Sequence, residues 1–162
     1  MHAGEYRTTD FTPVVQAMKL YEHVDLITSN PNKFPEYVEV PAPKQKGKQK
    51  PDIETEKLEK LMILTQDSLT RRVREQAYQI FILSHMANEI NVNREPERTE
   101  ERLRKQTQAI ALCEEMLATI MVCRHRFHLS YRKIKYWGGM VIKVRDSLKA
   151  WHSSDKSRFR RT

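Results

Sequence analysis

One stretch, SYRKIKYWGGMVIKVRDSLKAWH from Ser130 to His152, limits what this chain can fold into more than any other. With about 100° between successive residues of a helix, Ile134, Trp137, Val141, Val144, Leu148 and Trp151 fall within about a third of the circumference. They form one core-facing stripe, and its phase is unchanged across the tandem Gly138 and Gly139. The opposite side of the same helix carries Arg132, Lys135, Lys143 and Lys149, with Tyr131 and Tyr136 among them and Lys133 and Arg145 at the flanks. From Tyr131 onward there are ten Lys/Arg against two Asp/Glu, whereas residues 1–130 hold nineteen of each, so the whole net charge of +8 lies in the last fifth of the chain. Net charge by itself argues only about solubility and non-specific association. Its segregation onto one helix and the tail predicts a polyanion-binding surface. The candidate nucleic-acid-binding residues are Arg132, Lys133, Lys135, Lys143, Arg145, Lys149, Arg158, Arg160 and Arg161.

The remaining segments read as partners for that helix. A chain of 162 residues supports one domain with a proper core. Thr12 followed by Pro13 predicts a helix start, with Val14, Met18, Leu20, Tyr21, Val24 and Ile27 on its apolar side and Ser29, Asn30 and Pro31 at its end. Residues 31–51 hold five of the seven prolines and alternate lysines from Lys44 to Lys50, and read as a loop. From Asp52 the positions Leu58, Leu61, Thr65, Leu69, Val73, Ala77, Ile80, Ser84 and Ala87 follow three- and four-residue steps. Asp67 and Ser68 mark a place for a kink or restart. A third helix begins at Glu95–Pro96 and carries the seam Leu103, Gln106, Ile110, Cys113, Leu117 and Ile120. HRFHL makes a turn, and Ser130 caps the fourth helix. The expected architecture is all-α: an antiparallel up-and-down four-helix bundle, one domain over 1–162, with the Pro/Lys-rich loop at about 31–51 and a basic tail at about 153–162.

Little in the sequence carries chemistry. A di-metal carboxylate bundle needs Glu-x-x-His pairs, and none of the six histidines has Glu three residues before it. Cys123, His125 and His128 are ligand-type side chains without a second cluster to complete a closed site. The two histidines read instead as cations at a helix end. Cys113 and Cys123 sit on one helix about 80° and 15 Å apart, too far to bridge, which fits a reduced compartment. There is no glycine-rich phosphate loop and no nucleophile elbow. No catalytic residue, metal or cofactor is expected, and no membrane span or leader is apparent, so the protein is expected in the cytoplasm.

Gly138 and Gly139 cost helix stability and call for a reason. A helix-turn-helix wants a small residue four before its glycine and an apolar one just before it. The two registers offer Lys135 with Gly138, or Ile134 with Trp137, and both fit poorly. Close approach of another helix beside Trp137 is the favoured explanation, which predicts overpacking on substitution by alanine.

The order NPNKFP (Asn30 to Pro35), SLTRRVREQAYQIFIL (Ser68 to Leu83), AIALCEEML (Ala109 to Leu117) and FHLSYRKIKYWGGMVIKVRDSLKAW (Phe127 to Trp151) resembles one four-helix-bundle family. That family includes the accessory variability determinant, Avd, of diversity-generating retroelements and proteins encoded in ribosomal RNA intervening sequences. The likeness runs from Thr12 to about Asp155 and departs at about Glu36 to Asp67, which is longer here. It implies a non-enzymatic, barrel-like homopentamer that works beside a reverse transcriptase. Such a protein associates with template-repeat RNA or cDNA and supports mutagenic cDNA synthesis. A scaffold for a protein partner and a helix-turn-helix DNA regulator are the rival expectations.

Overall fold

The computed structural model of the chain describes the backbone of residues 11–29 and 53–160, and their side chains outside 53–68. Four long helices account for most of it: α1 (Thr12–Thr28), α2 (Ile53–Glu89), α3 (Thr99–Phe127) and α4 (Tyr131–Phe159). A 3-10 turn, Pro96–Arg98, leads into α3, and no strand occurs among the described residues. Each helix packs chiefly on its neighbours in the chain, and α1 against α4 closes the ring. The expected loop at 31–51 and the last two residues, Arg161 included, lie outside the described residues.

The core follows from the apolar periodicity. All six stripe residues of α4, from Ile134 to Trp151, are buried. On α2, Val73, Ala77, Ile80, Ser84 and Ala87 are buried as their spacing requires, while Leu58, Leu61 and Thr65 lie outside the described side chains. The seam of α3 needs correction. Gln106, Cys113 and Ile120 are buried, but Leu103, Ile110 and Leu117 are only half-buried, and Ala109, Met116 and Cys123 complete the deepest row. The reason is that α3 packs on both α2 and α4, so it buries a face broader than a two-helix seam.

Helix ends differ from the sequence expectation in several places. Phe11, not Thr12, occupies the cap of α1 and makes no side-chain cap bond, because Thr12 and Pro13 are already in the first turn. Phe11 instead packs edge-on against Trp151, with ring centroids 4.9 Å apart. α2 continues through Asp67 and Ser68 as one 37-residue helix, so the expected restart is absent. α3 begins at Thr99 after the 3-10 turn and runs on through Phe127, taking up most of HRFHL. It ends at His128 in the left-handed conformation, φ 51°, which directs the chain straight into α4. Ser130 caps α4 as expected, its hydroxyl accepting from the Lys133 amide at 3.3 Å.

The expected tail from 153 is also corrected, since α4 stays helical to Phe159. Asp155 is the physical cause. Its carboxylate is only 4% exposed and accepts from Arg102 Nε at 2.7 Å, Arg102 Nη2 at 3.2 Å and Gln106 Nε2 at 2.7 Å. Arg102 also donates to the Ile90 carbonyl at the end of α2, at 3.0 Å, and lies over the rings of Trp151 and Phe159. His152 Nδ1 is 3.0 Å from Gln106 Oε1. Burial pushes the His152 imidazole below its ordinary pKa, and Lys156 adds to that against the opposing pull of Asp155.

Two stability predictions follow from this geometry. Asp155→Ala leaves the Arg102 guanidinium buried without its carboxylate, and urea denaturation is expected to show a loss of about 3 kcal/mol or more. The glycine pair reverses the sequence expectation. α4 passes through Gly138 and Gly139 without a break, but a Cβ added at either would meet nothing within 4 Å. Gly138→Ala and Gly139→Ala are therefore expected to raise stability by about 0.5–1 kcal/mol each, read from the shift of the same urea midpoint, because only helix propensity changes.

Candidate nucleic-acid interface

The cations on α4 divide between two environments. Toward α3, Glu114 takes two of them: Arg145 Nη1 and Lys149 Nζ each lie 3.5 Å from its Oε1. Arg145 also donates to Asp146 at 3.2 Å. At the far end Arg158 reaches Asp155 at 3.2 Å, and Arg160 is exposed at the last turn. Apart from Arg161, which lies outside the described residues, the predicted residues are thus spread from the first turn of α4 to its C-terminal cap. Four of them, Arg132, Lys133, Lys135 and Lys143, gather along its first half on the side facing α1.

There α1 and α4 enclose two adjoining hollows. One, of about 430 Å³, lies between His23 and Ile27 of α1 and Ser130, Arg132, Lys133, Tyr136 and Trp137 of α4, with Leu129 at its end. The other, of about 600 Å³, lies between Gln16 and Lys19 of α1 and Arg132, Lys135, Tyr136, Gly139, Met140 and Lys143 of α4. Arg132 and Tyr136 border both, so the two form one trough. Among the described residues no carboxylate lines either hollow. Five described side chains with fixed positive charge line them, Lys19 included, with no described acidic side chain among them.

Local sequence explains the shape. Residues 132, 135, 136, 139 and 143 share one side of α4 by three- and four-residue steps, and 16, 19 and 23 do the same on α1. The wall is held by the Ser147 hydroxyl, which donates to Gln16 Oε1, and by His23, whose ring sits edge-on to Tyr136 at 5.1 Å. Tyr136 remains 63% exposed although its position is supported by that contact. Gly139 leaves the wall low at mid-trough. Lys19, Gln16 and His23 escaped the sequence reading because their segment carries no excess of positive charge, with Lys19 against Glu22 and Asp25, and only packing carries them to α4. Their spacing on the side of α1 flanking Ala17, Leu20 and Val24 was the available signal.

The other candidate chemistry is inert or dispersed. Burial pushes the Cys113 and Cys123 thiols up to about 12, with Glu114 adding to the first against Arg145. Both stay protonated near neutral pH and are poor ligands and nucleophiles. His125 and His128 are exposed while Cys123 is fully buried, so the three do not converge. No group of three metal-ligating side chains occurs among the described residues, and no helix among them is long and apolar enough to cross a membrane. Comparison of the chain with protein-family models, with curated proteins and with solved structures finds no match.

Proposed function

We propose that this protein is a non-enzymatic nucleic-acid-binding accessory factor of a diversity-generating retroelement. In this reading an antiparallel up-and-down bundle associates with a reverse transcriptase and with template-repeat RNA or cDNA. The observation that carries the binding part is the trough on the α1 side of α4. Arg132, Lys133, Lys135 and Lys143 meet Lys19 there on a concave surface whose described lining holds no carboxylate. Phosphate contacts made by such a surface give binding that is strongly salt-dependent and weakly sequence-specific. The retroelement context rests on the resemblance of the sequence from Thr12 to about Asp155. The helix-turn-helix rival loses its turn, since α4 is continuous across Gly138 and Gly139. The scaffold rival has these cations solvated or docked on an acidic protein surface, and a salt titration of RNA binding separates it from the proposal.

Replacing Arg132, Lys133, Lys135 and Lys143 together by glutamine is expected to weaken RNA binding and flatten its salt dependence, with helical content unchanged by circular dichroism. Each lost phosphate contact reduces the slope of log K against log salt by about 0.7 on a single strand. Unchanged affinity and slope would contradict the proposal. A homopentamer is the second part of the reading. Copies with this charge on one helix repel unless the interface supplies apolar or acidic complement; of the two candidates exposed on α3, Glu114 already serves Arg145 and Lys149, which leaves Glu115 to provide some of it. Light scattering at moderate salt is expected to give a mass near five times 19.3 kDa, and a value of one chain at every concentration excludes it.

A further inference from the structure

The trough selects among nucleic acids by its shape, and we infer that it seats an unpaired strand with a base stacked on Tyr136 and the phosphates along Lys19, Arg132, Lys135 and Lys143. This inference rests on the nucleic-acid reading above and narrows it. Three observations carry it. First, the two hollows adjoin in one furrow between α1 and α4, and at the usual spacing of packed helices, about 8–10 Å, such a furrow suits a single extended chain, while a double helix rides across its rims. Second, Tyr136 is an exposed ring at the junction of the two hollows, steadied by His23 at 5.1 Å. A ring already held in place loses little freedom when a base stacks on it, and stacking serves any base. A duplex keeps its bases stacked on each other and leaves such a ring unused.

Third, Gly139 lies in the wall of the larger hollow, and a Cβ there meets open space. Packing among the described residues gives no reason for a glycine at this point, and it weakens α4. What the missing side chain does provide is room for a ligand to lie against the helix between Arg132 and Lys143. The hollows, at about 430 and 600 Å³, are each in the usual range for sites that hold a small ligand, and together they continue past one nucleotide. The occupant is therefore a strand and not a free nucleotide.

The experiment is fluorescence anisotropy of the full-length protein at about 0.15 M salt, with a labelled unstructured 15-nucleotide RNA and a fully paired duplex of the same length. The expected result is single-strand binding about tenfold or more tighter than duplex binding. Tyr136→Leu should lower single-strand affinity about 5- to 150-fold, the span set by loss of one stacked base, and Tyr136→Phe should restore it. Gly139→Leu fills the hollow without meeting protein atoms at Cβ and should cost about tenfold on the single strand while the helix remains intact. Tyr131→Leu, at a ring 65% exposed on α4 but 5.8 Å from Arg124 and outside both hollows, should have little effect. Equal binding of duplex and single strand overturns the inference, as does a Tyr136→Leu protein with wild-type affinity. In those cases salt-dependent binding lost in the fourfold glutamine variant still upholds the broader reading. Absence of binding to either RNA at low salt overturns both.

Discussion

The ion pair between Arg102 and Asp155 fixes the relation among three helices at one end of the bundle. Apolar stripes with three- and four-residue spacing hold helices together but allow them to slip by a turn or a heptad with modest change in buried area. A buried carboxylate does not allow that, because moving it away from its guanidinium leaves two desolvated charges. Arg102 simultaneously binds the carbonyl of Ile90 and lies over Trp151, so the end of α2 and the second half of α4 are placed by one residue of α3. Trp151 in turn receives Phe11, which locates the start of α1. The furrow between α1 and α4 inherits its register from these contacts.

The fold was readable along most of the apolar spacing, although Met18, expected on the apolar side of α1, is exposed and Ala17 is buried beside it. Every residue of the α4 stripe is buried, and so are the α2 positions from Val73 to Ala87. The reading failed where a polar residue was the structural element. Asp155 looked like part of a charged tail because nothing local reveals that Arg102, 53 positions earlier, will face it. Half of the α3 seam was displaced because heptad spacing presumes one partner, and α3 has two.

The candidate site was legible only on its helical side. The cations of α4 stand out because they share a face on a helix with few acids. Their separation into a set near Glu114 and a set facing α1 depends on which helix lies to each side, and no one-dimensional pattern specifies that. The glycine pair shows the same limit. Cost to the helix was foreseeable from composition, whereas the open space at both positions follows from how α4 is oriented in the ring.

Segregated charge also has a mechanical consequence. Because Glu114 draws down the α3 side, the remaining field of α4 leans toward α1. A helix charged on one side experiences a torque in the field of a polyanion before any contact forms. Near a polyanion it turns its furrow inward at separations of about a Debye length, 8 Å at physiological salt. A protein of the same +8 charge scattered evenly would arrive in every orientation and have to search for its binding face after collision.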